Sequence, residues 1–136
     1  MPSSEESIRS DIRSRGVATP ETLREIDAAL EDCPSVKLWI LRGDAIQLSN
    51  SSDYTLADAE QSYERAIELD PSSSDAYESL GYFHYAVLDD AAKALTFFER
   101  AIALGGGESA EGGLREALSE LHDRAFEQSA DTINRK

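Results

Sequence analysis

A seven-residue segment occurs twice in this chain, 35 residues apart, and this repetition limits the possible folds more than any other feature. Residues 63–69 read YERAIEL and residues 98–104 read FERAIAL. The same frame fits upstream, where Ile26, Ala29 and Pro34 stand at an offset of 37 residues from their counterparts. Periods in this range are typical of stacked helical hairpins, because one hairpin cannot bury its apolar face alone. The sequence therefore predicts an all-α fold.

Each repeat is predicted to contain two helices. The first begins with an aromatic residue that is followed four positions later by glycine, as in Trp39–Gly43 and Tyr77–Gly81. In the second, Ala59, Tyr63 and Ala66 fall at i, i+4 and i+7, which places them on one face of a helix. Small residues on this face allow neighbouring backbones to approach closely, and the aromatic residues fill the remaining space.

Capping residues agree with this division. Thr19 is predicted to cap a helix that opens at Pro20, and Asp75 with Glu78 has the spacing of a reciprocal cap. Pro34 and Pro71 end the preceding helices.

A last helix is predicted at residues 109–130, as a cap with no partner helix after it. Its apolar stripe includes Leu114, Leu118 and Leu121. The glycine runs Gly105–Gly107 and Gly112–Gly113 are interpreted as a hinge before this helix, since they lack the lysine and hydroxyl residues of a phosphate-binding loop.

These residues resemble the tetratricopeptide repeat (TPR) family, whose pattern is an aromatic residue, Leu-Gly, Ala, a second aromatic residue, Ala and a closing proline. The copy at 73–106 carries Tyr77, Leu80, Gly81, Ala94, Phe98 and Ala101 on this pattern. The copy at 36–71 has Arg42 where the family prefers leucine, and a longer connection at 49–55. The resemblance implies one domain, residues 1–136, built as an α-solenoid of about three repeats.

The first repeat, residues 4–34, is degenerate. Its first helix offers only Ile8 and Ile12 as an apolar stripe, so we expect it to be the least well-defined element.

Charge and cysteine content exclude several functional classes. The net charge of −14 would repel phosphate backbones and anionic lipid headgroups, so neither nucleic acid nor a membrane surface is an expected partner. No segment approaches the length of about 20 apolar residues that a membrane span requires. Cys33 is alone and can form neither an intrachain disulfide nor a thiol cluster for zinc, which fits a reducing cytoplasm.

Catalytic and metal-binding roles are not indicated, and no cofactor is expected. His84 lies between aromatic residues, and His122 lies among charges, with no nucleophile at motif spacing. Cys33 is interpreted as a small, half-buried residue at a helix end. The acidic groups around Asp58 and at Asp89–Asp90 are interpreted as helix caps, because they do not follow the ligand pattern of a calcium loop.

The resemblance implies a peptide-binding groove lined by the first helix of each repeat. Transferred to this sequence, the groove positions are Lys37, Ile40, Asp44 and Gln47 from the second repeat, and Asp75, Glu78, Tyr82 and Tyr85 from the third. Asp44 and Tyr82 stand where a subgroup that grips terminal carboxylates has asparagine and a basic residue. The groove is therefore expected to bind a Lys- or Arg-rich segment, or else its acids only solvate an acidic surface.

The expected function is that of a non-catalytic cytoplasmic adaptor for a protein or peptide. Two alternatives stay open: a holder of export substrates like the secretion chaperones of this family, and a self-assembling scaffold or homo-oligomer that stacks its solenoid ends.

Overall fold

Seven α-helices form the regular structure of residues 5–134, the part of the chain that the computed structural model describes, with side chains described for residues 5–130. The predicted all-α fold is confirmed, and residue 4, the predicted start of the first repeat, lies outside the described part. The helices are α1 (Glu5–Arg15), α2 (Pro20–Asp32), α3 (Val36–Gln47), α4 (Leu56–Leu69), α5 (Ser74–Tyr82), α6 (Ala91–Ala103) and α7 (Glu108–Asn134). A π-helical turn, Phe83–Val87, continues α5.

Side-chain caps begin several helices where the sequence predicts them. The Thr19 hydroxyl accepts a hydrogen bond from the Thr22 amide at 3.2 Å, and Pro20 occupies the first turn. Thr55 and Asp58 form a reciprocal capping box at the start of α4. Each cap satisfies amides that the helix itself leaves without a partner.

The predicted cap of α5 is wrong. The Ser73 hydroxyl accepts from the Ala76 amide at 3.2 Å, so the cap is Ser73 instead of Asp75 and the helix begins two residues earlier than expected, at Ser74. Asp75 and Glu78 consequently lie within the helix, where Asp75 still complements the positive end of the helix dipole.

The described helices fall into two compact units, the first ending at Ala76 and the second beginning at Tyr77, within α5. Each unit is described by itself below.

In the first unit, α3 lies at the centre and packs against α1, α2 and α4. A row of fully buried residues fills these contacts: Ile8, Leu23, Ile26, Ala45, Ala59, Tyr63 and Ala66. Gly43 allows the closest approach, because a Cβ atom there would lie 2.6 Å from the Tyr63 ring. The stripe Ile8 and Ile12 is buried, so the degenerate first helix is a packed element of this unit.

The connection between α3 and α4 comprises residues 48–55, so it begins one residue before the predicted 49–55 and ends where predicted. The amide of Ala18 donates to the Leu48 carbonyl at 3.1 Å, in a single parallel bridge between Ala18 and Ser49. The long connection is therefore tied to the start of α2.

In the second unit, α6 and α7 pack closely through small residues. Ala91, Ala94, Phe98 and Ala117 form its buried cluster, and Tyr82, Tyr85, Leu95, Leu114 and Leu121 pack around it. A Cβ atom on Gly113 would overlap the Phe98 ring, so glycine is needed where α7 crosses this ring.

Two expectations about α7 are wrong. Gly112 and Gly113 lie inside the helix rather than in a hinge, because α7 needs its smallest residue against Phe98. Leu118 does not belong to the packed stripe and is 48% exposed, because the helix packs through Ala110, Gly113 and Ala117, about 100° away from Leu118 around its axis.

Cys33 is exposed rather than half-buried, at the end of α2. The residue adjoins Pro34 in the short connection to α3, where little chain packs over it.

Candidate functional site

The predicted groove residues of the first unit lie on α3 but have different surroundings. Lys37 is exposed, near the start of the helix, whereas Ile40 is buried in the core. Asp44 and Gln47 converge on the hydroxyl of Tyr63. That hydroxyl donates to Asp44 Oδ1 at 2.6 Å and accepts from Gln47 Nε2 at 2.6 Å. These two side chains therefore hold α3 to α4.

Burial shifts the acid–base properties of this cluster. Desolvation raises the pKa of Asp44, opposed by the Tyr63 hydrogen bond and by the charge of Arg9. Desolvation and the neighbouring carboxylate raise the pKa of Tyr63 well above its ordinary value. The phenol therefore stays protonated, and the Asp44 carboxylate is committed to an internal contact rather than available to a partner's lysine or arginine.

A cleft of about 230 Å³ opens between α1 and α3 beside Asp44. Its apolar lining comes from Ile12, Leu41, Ala45 and Leu48, and its polar lining from Arg9, Arg13 and Asp44. Leu48 is 48% exposed at its edge. The cleft combines an apolar floor with a charged rim.

The two arginines of this rim differ in their partners. Arg9 forms an ion pair with Glu5 at 2.8 Å, one turn earlier on α1. Arg13 is exposed, and within residues 5–130 it makes no hydrogen bond or ion pair. The available charge of the cleft is therefore positive.

The predicted groove residues of the third repeat are Asp75, in the first unit, and Glu78, Tyr82 and Tyr85, in the second. Asp75 is exposed and Glu78 is half-buried. The two tyrosines come together around the core of the second unit. Tyr82 donates its hydroxyl to the Ser109 carbonyl at 2.7 Å and meets the Phe98 ring edge-on at 4.8 Å between ring centres.

Sequence reasoning missed a polar network around Arg42, in the first unit. Arg42 Nε donates to Asp27 Oδ1 at 2.8 Å, and its Nη1 donates to Ser62 Oγ at 2.7 Å. The Tyr54 hydroxyl donates to the other Asp27 oxygen at 2.5 Å. The guanidinium also lies over the rings of Trp39 and Tyr54, at 5.9 and 5.4 Å from their centres.

This network links α2, α3, α4 and the 48–55 connection. The feature of the sequence that pointed to this network was Arg42, a charged residue at a position where the TPR pattern has leucine. Surface depressions of about 350 and 390 Å³ flank the guanidinium. The Arg42 and Asp27 charges between them are already paired internally, so the network explains local structure more directly than ligand binding.

Among residues 5–130, no three His, Cys, Asp or Glu side chains are placed to hold a metal ion. His84 is buried, and its ring stacks on Phe97 at 5.0 Å, so packing accounts for its position.

Comparison with protein-family models gave no match, and comparison with curated protein sequences gave no significant match. In the described region, every helix is too short or too polar to cross a bilayer.

Proposed function

We propose that this protein is a non-catalytic, TPR-like interaction module that binds a segment of another protein in the cleft between α1 and α3. The observation that carries the proposal is the cleft itself, with its apolar floor and the available charge of Arg13 at its rim. A volume of about 230 Å³ is below the range of roughly 300–1,000 Å³ typical of sites that enclose a small molecule. It suits side chains that project from a bound segment.

The repeated pattern supports the solenoid part of this proposal. Tyr63 and Phe98 recur 35 residues apart, and each fills the space above a glycine, Gly43 and Gly81 respectively. Equivalent residues thus have equivalent packing roles in two hairpins, as stacked repeats require. A cytoplasmic location, expected from the lone cysteine, belongs to the same proposal.

The ligand we propose for this cleft carries an aliphatic side chain next to a carboxylate. The apolar floor favours the first and Arg13 favours the second, because an Arg–carboxylate pair gives directional hydrogen bonds. This differs from the Lys- or Arg-rich segment expected from sequence, since the only acid in the cleft lining, Asp44, is held by Tyr63.

A peptide-display selection on the full chain tests the proposal. We expect the selected peptides to pair Leu, Ile or Val with Asp or Glu, and their affinity to fall by about tenfold or more on Arg13→Glu or Leu48→Asp. Arg24→Glu is the matched control, because Arg24 is an exposed arginine on α2 outside the cleft. Selected peptides that respond equally to both arginine reversals, or to neither cleft variant, contradict the proposal.

A further inference from the structure

The exposed side of α7 carries two large apolar residues, Leu118 and Phe126, which define an apolar face that the described chain leaves uncovered. Every residue from His122 to Ser129 is exposed. Phe126 is 71% exposed, more than any other large apolar residue described, and Leu118 is 48% exposed. This surface belongs to the second unit, whereas the α1–α3 cleft belongs to the first.

Helix geometry places this face opposite the packed one. Ala117 lies in the buried cluster with α6. Phe126 follows nine residues later, or about two and a half helical turns, and therefore points away from α6. Leu118 and Phe126 lie about two turns apart, roughly 12 Å along the axis, on adjacent lines of the same side.

One edge of this face is acidic, whereas Arg115 is an exposed basic residue close to the Phe126 line of the helix, about one turn before Leu118. Arg124 is occupied, since its guanidinium pairs with Asp89 at 2.9 Å and with Glu120 at 2.7 Å. Asp123 and Glu127 are exposed and make no ion pair with the described residues. They stand at i and i+4, so they form one acidic line along the edge of the apolar face.

We propose that this face docks a basic amphipathic helix of another protein, with aliphatic residues over Leu118 and Phe126 and Lys or Arg against Asp123 and Glu127. Covering Phe126 removes apolar surface from water, and opposite charges fix the orientation and accelerate encounter.

A second copy of the chain is a poorer occupant. An antiparallel pair of α7 helices that brought Leu118 over Phe126 would be centred near His122 and would place Asp123 close to its own counterpart. Such like charges repel, and each copy adds a net charge of −14 to that repulsion.

The test is a binding titration of the full chain with a synthetic helical peptide of about 18 residues, with leucine on one stripe and lysine on both flanks. We expect 1:1 binding that weakens by about tenfold or more on Phe126→Ser, and similarly on the double reversal Asp123→Lys with Glu127→Lys. The matched control reverses Glu25 and Glu31 on α2 to lysine, which changes net charge by the same amount. It should weaken binding by less than about threefold.

Three results overturn the inference. Equal weakening by the α2 reversal shows that the peptide responds only to the overall charge of the protein. Unchanged affinity for the Phe126→Ser variant, confirmed as folded by its melting curve, removes the apolar contact. Concentration-dependent dimers of the peptide-free chain that disappear on Phe126→Ser show that a second copy covers this face.

Discussion

Phe98 shows how much of this fold depends on single residues. Its ring is fully buried beneath Gly81 and Gly113, and each glycine lies where an added methyl group would overlap the ring. The stacking of α6 and α7 thus depends on a missing side chain on α7.

We expect Gly113→Ala to destabilise the protein by about 1 to 3 kcal/mol, because overpacking of a filled core forces side chains or backbone to move. Gly112→Ala is the matched control. The nearest atom to a Cβ there lies 4.0 Å away, and alanine is the better helix former by about 1 kcal/mol. Urea unfolding should therefore give decreasing stability in the order Gly112→Ala, wild type, Gly113→Ala. Equal effects at the two positions would contradict the packing of α7 on Phe98.

The buried carboxyl group of Asp44 should make the stability of the fold depend on pH. Because burial raises its pKa, the folded protein holds this proton to higher pH than the unfolded chain does. The stabilising contribution is complete below the ordinary pKa of 3.8 and is lost as pH rises through the raised value. Asp44→Asn keeps an acceptor for Tyr63 but cannot ionise.

The stability of the Asp44→Asn variant relative to wild type should therefore be lowest in acid and rise with pH to a plateau, in urea unfolding from about pH 3 to pH 7. A difference that falls with pH would show that Asp44 is stabilised as a carboxylate instead.

For single residues, the sequence predicted burial better than it predicted which polar side chains form hydrogen bonds with each other. Apolar spacing identified Ala66, Ala101 and Phe98, all of which are fully buried. It could not show that Asp44 and Gln47 meet at Tyr63, because that contact depends on how far α3 rotates toward α4. Nor could spacing identify the partner of Arg42, which lies on a different helix.

Among the elements, the connection at 48–55 is the one whose order depends most on a polar contact. The Tyr54 hydroxyl donates to Asp27 on α2, and burial with this carboxylate raises the pKa of Tyr54 to about 12. The loop is thus tied to the Arg42 network.

We expect Tyr54→Phe to cost about 1 kcal/mol, the usual net value of one hydrogen bond, and to speed amide exchange in residues 48–55 more than elsewhere. Tyr77→Phe is the control, since the Tyr77 ring lies beside Arg100 but its hydroxyl makes no hydrogen bond within residues 5–130. Hydrogen exchange followed by mass spectrometry measures both. Unchanged exchange in the loop would show that the Ala18–Ser49 bridge alone holds it.

The ends of the helices were predicted from sequence more reliably than the faces through which the helices pack. Proline, glycine and threonine marked the ends of α2, α4 and α6 within a residue or two. The packed face of α7 was predicted in part, because Leu114 and Leu121 of the apolar stripe pack around the buried cluster whereas Leu118 is exposed. Close contact with Phe98 selects the small residues for the interface and leaves the larger leucine outside.

For the whole molecule, α7 is predicted to have two parts with different roles. Removal of everything after Gly107 exposes Phe98 and the alanines of the buried cluster, so this truncated protein should self-associate or aggregate. Removal of everything after Leu121 keeps Gly113 and Ala117 in place and should leave a folded, monomeric protein. Sedimentation velocity and thermal melting compare the two. Equal behaviour of both truncated chains would show that α7 does not act as a cap through its first half.

The number of charges does not identify which of them can bind a partner. The family resemblance predicted a groove with the acids Asp44, Asp75 and Glu78, but a carboxylate can recognise a partner only when the protein leaves it unpaired. Asp44 is used internally, whereas Arg13 at the cleft and the acids Asp123 and Glu127 of α7 have no charged partner within residues 5–130. The number of acids is visible in the sequence, but their pairing depends on tertiary contacts.

Binding of a partner segment in the α1–α3 cleft can be measured through backbone amide NMR shifts of the full chain during titration with a peptide obtained from the display selection. We expect the largest shifts to cluster at residues 9–13 and 41–48 and to disappear in the Arg13→Glu variant. Shifts that cluster elsewhere and persist in that variant would contradict binding in this cleft.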